Sequence, residues 1–96
     1  MTYRFLSPAQ RDVAEAMRYY EEAVPGLGLD FLDELERTVQ RILHQPEAWT
    51  RLSEHQRRCR MRRFPYGVIY SIEEEVLVIL AVFHLHRRPD SWKERI

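Results

Sequence analysis

The sequence predicts an α+β domain of order β-α-α-β-β-β, with an antiparallel helical hairpin packed on one face of a twisted, mainly antiparallel four-stranded sheet. Three observations carry this prediction. Two stretches of the first half repeat apolar residues at helical spacing and are separated only by a Pro-Gly break. Three stretches of the second half read as short strands joined by turns. The last of these, Val76 to Phe83, is apolar at every position, as a central strand covered on both faces would be. A chain of 96 residues is long enough for one domain with a modest core, so residues 1–96 are read as a single unit.

The elements follow in order. Thr2 to Leu6 alternates, Tyr3 and Phe5 against Arg4 and Leu6, and reads as a first strand. Ser7-Pro8 then looks like a helix start, with serine as N-cap and proline at the first helical position, where its missing N–H costs nothing. This helix runs to about Ala23, with Val13, Met17, Tyr20 and Val24 on one stripe and Arg11, Glu15, Arg18 and Glu22 opposite. After Pro25-Gly26 a second helix spans about Gly28 to His44. Leu29, Leu32, Leu35, Val39 and Ile42 line its inner side, and Asp30, Asp33, Glu34, Glu36, Arg37 and Arg41 lie outside. So short a connection makes the helices antiparallel. Pro46 ends the second helix, and Glu47 to Gln56 reads as a polar loop anchored by Trp49. Arg57 to Phe64 is the next strand, with Arg58, Arg60 and Arg62 on one face and Cys59 and Met61 on the other, until Pro65 ends the ladder. Gly67 to Ile72 follows, and Glu73-Glu74-Glu75 turns the chain into the apolar last strand.

Composition narrows the function classes. Hydrophobic residues at 45% and charged ones at 31% exclude a wholly disordered chain. No apolar run approaches the roughly 20 residues that span a bilayer, so no membrane association is expected. The stretch from Met1 to Ser7 lacks the basic start and apolar core of a signal peptide, and a soluble cytosolic protein is expected. One cysteine forms neither an internal disulfide nor a CxxC metal site, and no metal or other cofactor is expected. The net charge of zero hides a split. Residues 1–50 carry five Arg against nine acids, and residues 51–96 ten Lys and Arg against six. Within 51–72, six arginines face Glu54 alone, a local field suited to anions, or to the acidic helices of the same fold.

Several blocks together resemble the RelE/ParE toxins of bacterial type II toxin–antitoxin systems, and more closely the ParE-like members. They are Tyr19-Tyr20-Glu21 at the end of the first helix and Gly26-Leu27-Gly28-x-x-Phe31 at the start of the second. They continue in Arg62-Arg63-Phe64-Pro65-Tyr66-Gly67-Val68-Ile69-Tyr70 and in Ala81-Val82-Phe83-His84-x-x-Arg87-Arg88-Pro89-x-x-Trp92-x-x-Arg95. The resemblance implies a cytoplasmic growth inhibitor neutralised by a cognate antitoxin protein in a toxin–antitoxin hetero-oligomer. It implies one of two mechanisms: RelE-like members cut messenger RNA on the ribosome, whereas ParE-like members poison DNA gyrase. A degenerate member that binds antitoxin without toxicity is a third reading.

The choice between mechanisms rests on particular positions. Metal-free RNA cleavage needs a base, a proton donor and cations for the developing phosphate charge. The resemblance puts Gly67 where RelE-like nucleases carry a phosphate-binding arginine, and Trp92 near the place of their catalytic tyrosine. Both departures favour a ParE-like, non-hydrolytic toxin. Were the chain an endoribonuclease, His84 would be the titrating group, with Arg63 and Arg87 as cations. The alternative for His84 is a hydrogen-bonded strand-end residue packed on Tyr66 or Trp92. Arg58, Arg60, Arg62, Arg88, Tyr66 and Trp92 are the candidates for contact with a target or nucleic acid. The Arg58/Arg60/Arg62 row reads equally well as the solvated face of an edge strand, or as the face that meets an acidic antitoxin segment. Tyr19 cannot face inward together with Tyr20, which makes it a candidate antitoxin contact. Cys59, beside Met61, reads as a buried, inert thiol.

Overall fold

A computed structural model describes residues 1–86. Its elements are β1 (Thr2–Phe5), α1 (Ser7–Ala23), α2 (Leu27–His44), β2 (Thr50–Arg51), β3 (Arg57–Arg60), β4 (Tyr66–Glu73) and β5 (Val76–His84). The sheet order is β1-β5-β4-β3-β2, with β1 parallel to β5 and every other pair antiparallel. Parallel neighbours need a long crossover, and the helical hairpin supplies it. Among the described residues no helix is long and apolar enough to cross a membrane.

The strand-to-helix joint leaves no spare residue. Leu6 N–H donates to Ile79 O at 3.0 Å, extending the parallel ladder, while Leu6 O accepts from Gln10 N–H at 3.0 Å and so opens α1. Leu6 is therefore the N-cap, without a side-chain cap, and Ser7, expected in that role, already lies inside the helix. Beyond this point β1 no longer flanks β5, and the Asp12 carboxylate of α1 accepts the Val82 N–H at 2.9 Å. A buried N–H that the parallel ladder no longer serves is thereby satisfied from the helix layer.

The hairpin is closed by one acid and two glycines. Gly26 takes φ +92°, a conformation that side chains disfavour, and turns the chain. Glu21 accepts the Gly26 N–H at 2.9 Å and the Gly28 N–H at 3.1 Å, capping the start of α2 from the end of α1. At Gly28 a Cβ would stand 2.8 Å from the backbone oxygen of Met17, so only glycine lets the helices approach this closely. Two residues expected on core stripes, Val24 and Leu29, are instead 53% and 62% exposed, because the tip of the hairpin carries them clear of the core. Glu34 departs in the other direction. Expected outside, it is 4% exposed, held by the Arg62 N–H at 3.2 Å and the Arg37 guanidinium at 3.5 Å.

The sheet has one strand more than the sequence suggested. Thr50 and Arg51, read as loop, pair with Arg58 and Arg57, so β3 is flanked on both sides there and is not an edge strand. β3 also stops earlier than expected, at Arg60. Residues 61–65 form a turn closed by Met61 N–H donating to Tyr66 O at 2.9 Å, which takes Arg62 off the ladder. Glu74 and Glu75, at φ +51° and +66°, make the two-residue turn whose twist suits an antiparallel hairpin. Leu80 is an extra residue opposite the Ile69/Tyr70 step, so Leu80 and Ala81 both belong to the helix-free side. The main core, with Phe31, Leu35, Ile42, Val68, Tyr70 and Ile79, fills the space between helices and sheet. Ile69, Val78, Leu80 and Ala81 form a second cluster on the other face.

Candidate functional site

Alternation along β4 and β5 divides the candidate residues between the two faces of the sheet. Tyr66 and His84 are a cross-strand pair, and Tyr66 belongs to the helix-side core. Directly paired residues share a face, which puts His84 on the helix side as well.

An aromatic cluster occupies that side, at the end of the sheet nearest the hairpin tip. The Tyr20 ring stacks on Phe31 at 5.7 Å and meets Phe64 edge-on at 4.9 Å. Phe31 lies 5.1 Å from Phe64 and 5.0 Å from Tyr66. The chain of rings continues from Tyr66 to His84 at 5.2 Å and from His84 to His86 at 5.7 Å. These separations are those of favourable aromatic pairs. His84 Nδ1 accepts the backbone N–H of His86 at 3.1 Å, which sets the proton of the neutral ring on Nε2. Tyr66 is buried, His84 half-buried and His86 exposed. On the rim, Tyr19 packs edge-on against Tyr20 at 5.1 Å yet remains 57% exposed. Arg63 reaches Asp30 at 3.8 Å, and its guanidinium lies 5.5 Å from the centre of the Phe64 ring. Both members of that ion pair are half-exposed, so it contributes little to stability.

The opposite face holds Arg58 and Arg60. The register sets Arg58 beside Ile69 and Arg60 beside Gly67. The stem of Arg58 lies over Gly67. A Cβ built there would be 3.2 Å from Arg58 Cγ and Cδ and 3.1 Å from Leu85 Cδ2. A side chain at 67 would be tightly crowded unless Leu85 and the Arg58 stem gave way by a few tenths of an ångström. Arg58 Nε is buried and has no hydrogen-bond partner. Arg58 and Arg60 are therefore on one side of the sheet and His84 on the other, while Arg62 sits in the β3–β4 turn. Arg87, Arg88 and Trp92 lie outside the described residues.

The remaining basic residues are mostly structural. Arg57 donates to Trp49 O at 2.9 Å, and Arg51 to Ser53 O at 3.2 Å. Arg41 donates to Arg60 O at 3.1 Å and lies over the Trp49 ring, fastening α2 to β3. Cys59 is buried, and desolvation pushes its thiol up against the pull of Arg41 and Arg62. Burial likewise pushes the Tyr70 phenol up to about 12, against the pull of Arg57, and its hydroxyl donates to Pro46 O at 2.6 Å. Among the described residues no three His, Cys, Asp or Glu side chains group as metal ligands. An open cleft of about 520 Å³ lies apart from all of these, lined by Tyr3, Asp33, Glu36, Arg37 and Gln40. Its mixed lining differs from the apolar groove that a helical antitoxin segment would favour.

Sequence reasoning missed the residues that work through partners. Asp30 and Glu34 read as outer-face acids and Glu21 was assigned to neither face, and no spacing rule reveals which one meets an N–H or a guanidinium. Only the identity of Glu21 within the Tyr19-Tyr20-Glu21 block signalled a constraint.

Comparison with known proteins accords with this architecture. The family described as ParE toxin of type II toxin–antitoxin system, parDE, matches residues 3–89. Toxin ParE2 of Mycobacterium tuberculosis, in strains CDC 1551 / Oshkosh and ATCC 25618 / H37Rv, is 33% identical over 90 residues, covering 88% of this chain and 82% of the relative. A solved structure described as the chromosomal ParDE TA system from P. aeruginosa superposes with a TM-score of 0.74 at 19% identity. It covers 88% of this chain and 95% of that one, a likeness of fold. With the family matched across nearly the whole length, the chain belongs to the ParE toxins of type II toxin–antitoxin systems.

Proposed function

We propose that this protein inhibits growth by binding a target such as DNA gyrase rather than by cutting RNA, and that a cognate antitoxin protein holds it inactive in a hetero-oligomer within the cytoplasm. The observation that carries the reading is at Gly67. A RelE-type nuclease would present a phosphate-binding arginine from this position, and here the chain has a glycine crowded by Leu85 and the Arg58 stem, which would have to shift to admit a side chain. His84 then serves as a strand-end residue, packed on Tyr66 and accepting the His86 N–H. Tyr19, exposed on the rim of the aromatic cluster, is the residue offered to the antitoxin.

The test is a supercoiling assay with purified gyrase and this protein, run beside a ribosome-bound message-cleavage assay. The expected result is loss of supercoiling with intact messages. Normal supercoiling in excess toxin, with codon-positioned cuts that vanish in His84→Ala, would instead establish the nuclease reading. No effect in either assay would mark a non-toxic, antitoxin-binding member.

A further inference from the structure

A polar row on α2 grips the chain where it leaves β3. Glu34, Thr38 and Arg41 stand at i, i+4 and i+7, so they share one face of the helix. The Arg41 guanidinium donates to Arg60 O and to the Thr38 hydroxyl, each at 3.1 Å, and that hydroxyl donates to Glu34 O at 2.9 Å. The Glu34 carboxylate accepts the Arg62 N–H at 3.2 Å. A base thus holds the last carbonyl of β3, and an acid holds the amide two residues on. Burying a carboxylate costs free energy unless it is paired and hydrogen-bonded, and the partners of Glu34 are this N–H and the Arg37 guanidinium at 3.5 Å. What the row fixes is the turn over residues 61–65. Phe64 completes the seating by packing on Tyr20 and Phe31, and Arg63 reaches Asp30. The Arg62 side chain is exposed and has no hydrogen-bond or ion-pair partner among the described residues.

We propose that Glu34 is a positioning residue for target binding: it seats the β3–β4 turn on α2 so that the Arg62 guanidinium meets the target as a fixed donor. The argument lies in how the partners are shared. Arg51, Arg57 and Arg63 spend their guanidinium groups on acceptors of the fold. Arg62 does not, although the acid beside it is close enough to bond its backbone. Glu34 takes the N–H of Arg62 and the guanidinium of Arg37, so the fold anchors the main chain of residue 62 and leaves its charge outward. A cation on an anchored backbone gives up less freedom on binding than one on a loose loop. Its planar fork is then suited to directed hydrogen bonds. Without the carboxylate the part-buried Arg62 N–H loses its acceptor, and the turn gains by moving toward another. The proposal rests on the reading of a toxin that acts by binding its target.

The experiment is a double-mutant cycle on the full chain with two readouts, the half-inhibitory concentration and the urea midpoint of unfolding. Inhibition is measured in gyrase supercoiling and in ribosome-bound message cleavage. Arg62→Ala is expected to raise the half-inhibitory concentration about tenfold and leave the midpoint close to the parent value, since the side chain is exposed. Glu34→Ala should raise it about tenfold and also lower the midpoint. Adding Glu34→Ala to Arg62→Ala should lower the midpoint as before, yet weaken inhibition by less than about twofold further. The backbone N–H that Glu34 bonds survives in Arg62→Ala, whereas the guanidinium it positions does not. Glu34→Gln keeps an acceptor for that N–H and should recover most of the inhibition. Where Glu34→Ala does not fold, Glu34→Gln carries the cycle: its neutral amide bonds more weakly, and its loss of about threefold should vanish beside Arg62→Ala. Additive losses of inhibition, or full inhibition by Arg62→Ala or by Glu34→Ala, would overturn the proposal. An equal loss in Glu21→Ala, which loosens the hairpin turn instead, would also overturn it by reducing Glu34 to a stabilising residue. Message cleavage with the cycle intact would keep the role of Glu34 and reject the binding toxin. Inhibited supercoiling with an additive cycle would do the reverse, and a parent inactive in both assays would overturn both.

Discussion

The two faces of the sheet use polar and charged residues in opposite ways. On the helix side and around the hairpin, nearly every singled-out group has a partner. Glu21 holds two N–H groups of the turn, Glu34 holds the Arg62 N–H, Asp12 holds the Val82 N–H, and the Tyr70 hydroxyl donates to Pro46 O. On the other side, the side chains of Arg58 and Arg60 on β3 have no hydrogen-bond or ion-pair partner among the described residues. Blocks that identify a family are thus concentrated where the fold is built. The residues with chemistry left over lie in a stretch that looks, by sequence, like an ordinary solvated strand. A motif residue is a guide to architecture first; a functional candidate is better sought among groups the architecture leaves unsatisfied.

This contrast can be broken from the helix side with the largest effects. Phe31→Ala removes the ring shared by Tyr20, Phe64 and Tyr66 and should destabilise the chain by about 3–5 kcal/mol, read from urea unfolding. Gly28→Ala forces a Cβ against the Met17 carbonyl and should cost about 1–3 kcal/mol; an unchanged midpoint would mean the helices part without penalty. Glu21→Ala strips the cap from α2 and should cost about 1–2 kcal/mol, with amide exchange accelerated first around residues 26–28.

Smaller effects sharpen it. Tyr70 is held protonated in the folded chain up to about pH 12, while the unfolded chain ionises near its ordinary value of 10. A raised folded pKa means this contribution is fully present below pH 10 and is lost between 10 and about 12. Stability should therefore fall across that window, and Tyr70→Phe should flatten the fall. At the lower limit, Tyr19→Ala and Arg60→Gln should each change stability by less than about 0.5 kcal/mol, because both side chains are exposed. A large loss from either would erase the distinction between the two faces.

The layers of the fold were legible because periodicity reports burial directly. The hairpin, the three C-terminal strands and the central position of the last one all follow from apolar spacing. The two-residue β2 was not legible, since Thr50-Arg51 is too short to show any period. The placement of Glu34, Val24 and Leu29 failed for a related reason. A helical wheel knows which side faces the partner helix, but not where the layer ends or where a turn approaches to donate an N–H. For the candidate site, the sequence named residues without showing on which side of the sheet His84 lies relative to the arginines. His84 and Arg58 lie on opposite faces because Tyr66 pairs with His84 while Gly67 pairs with Arg60, a matter of register. The glycine at 67 stood out in the sequence as a missing arginine; only the fold reveals that Leu85 and the Arg58 stem crowd its space.

The most direct test of the central claim, a toxin that binds rather than cleaves, is induced expression in a bacterial host while translation and DNA supercoiling are followed together. The account predicts growth arrest in which supercoiling is lost and DNA damage signalling rises while protein synthesis is still intact, for the parent and for His84→Ala alike. Translation failing first, with arrest abolished in His84→Ala, would contradict it.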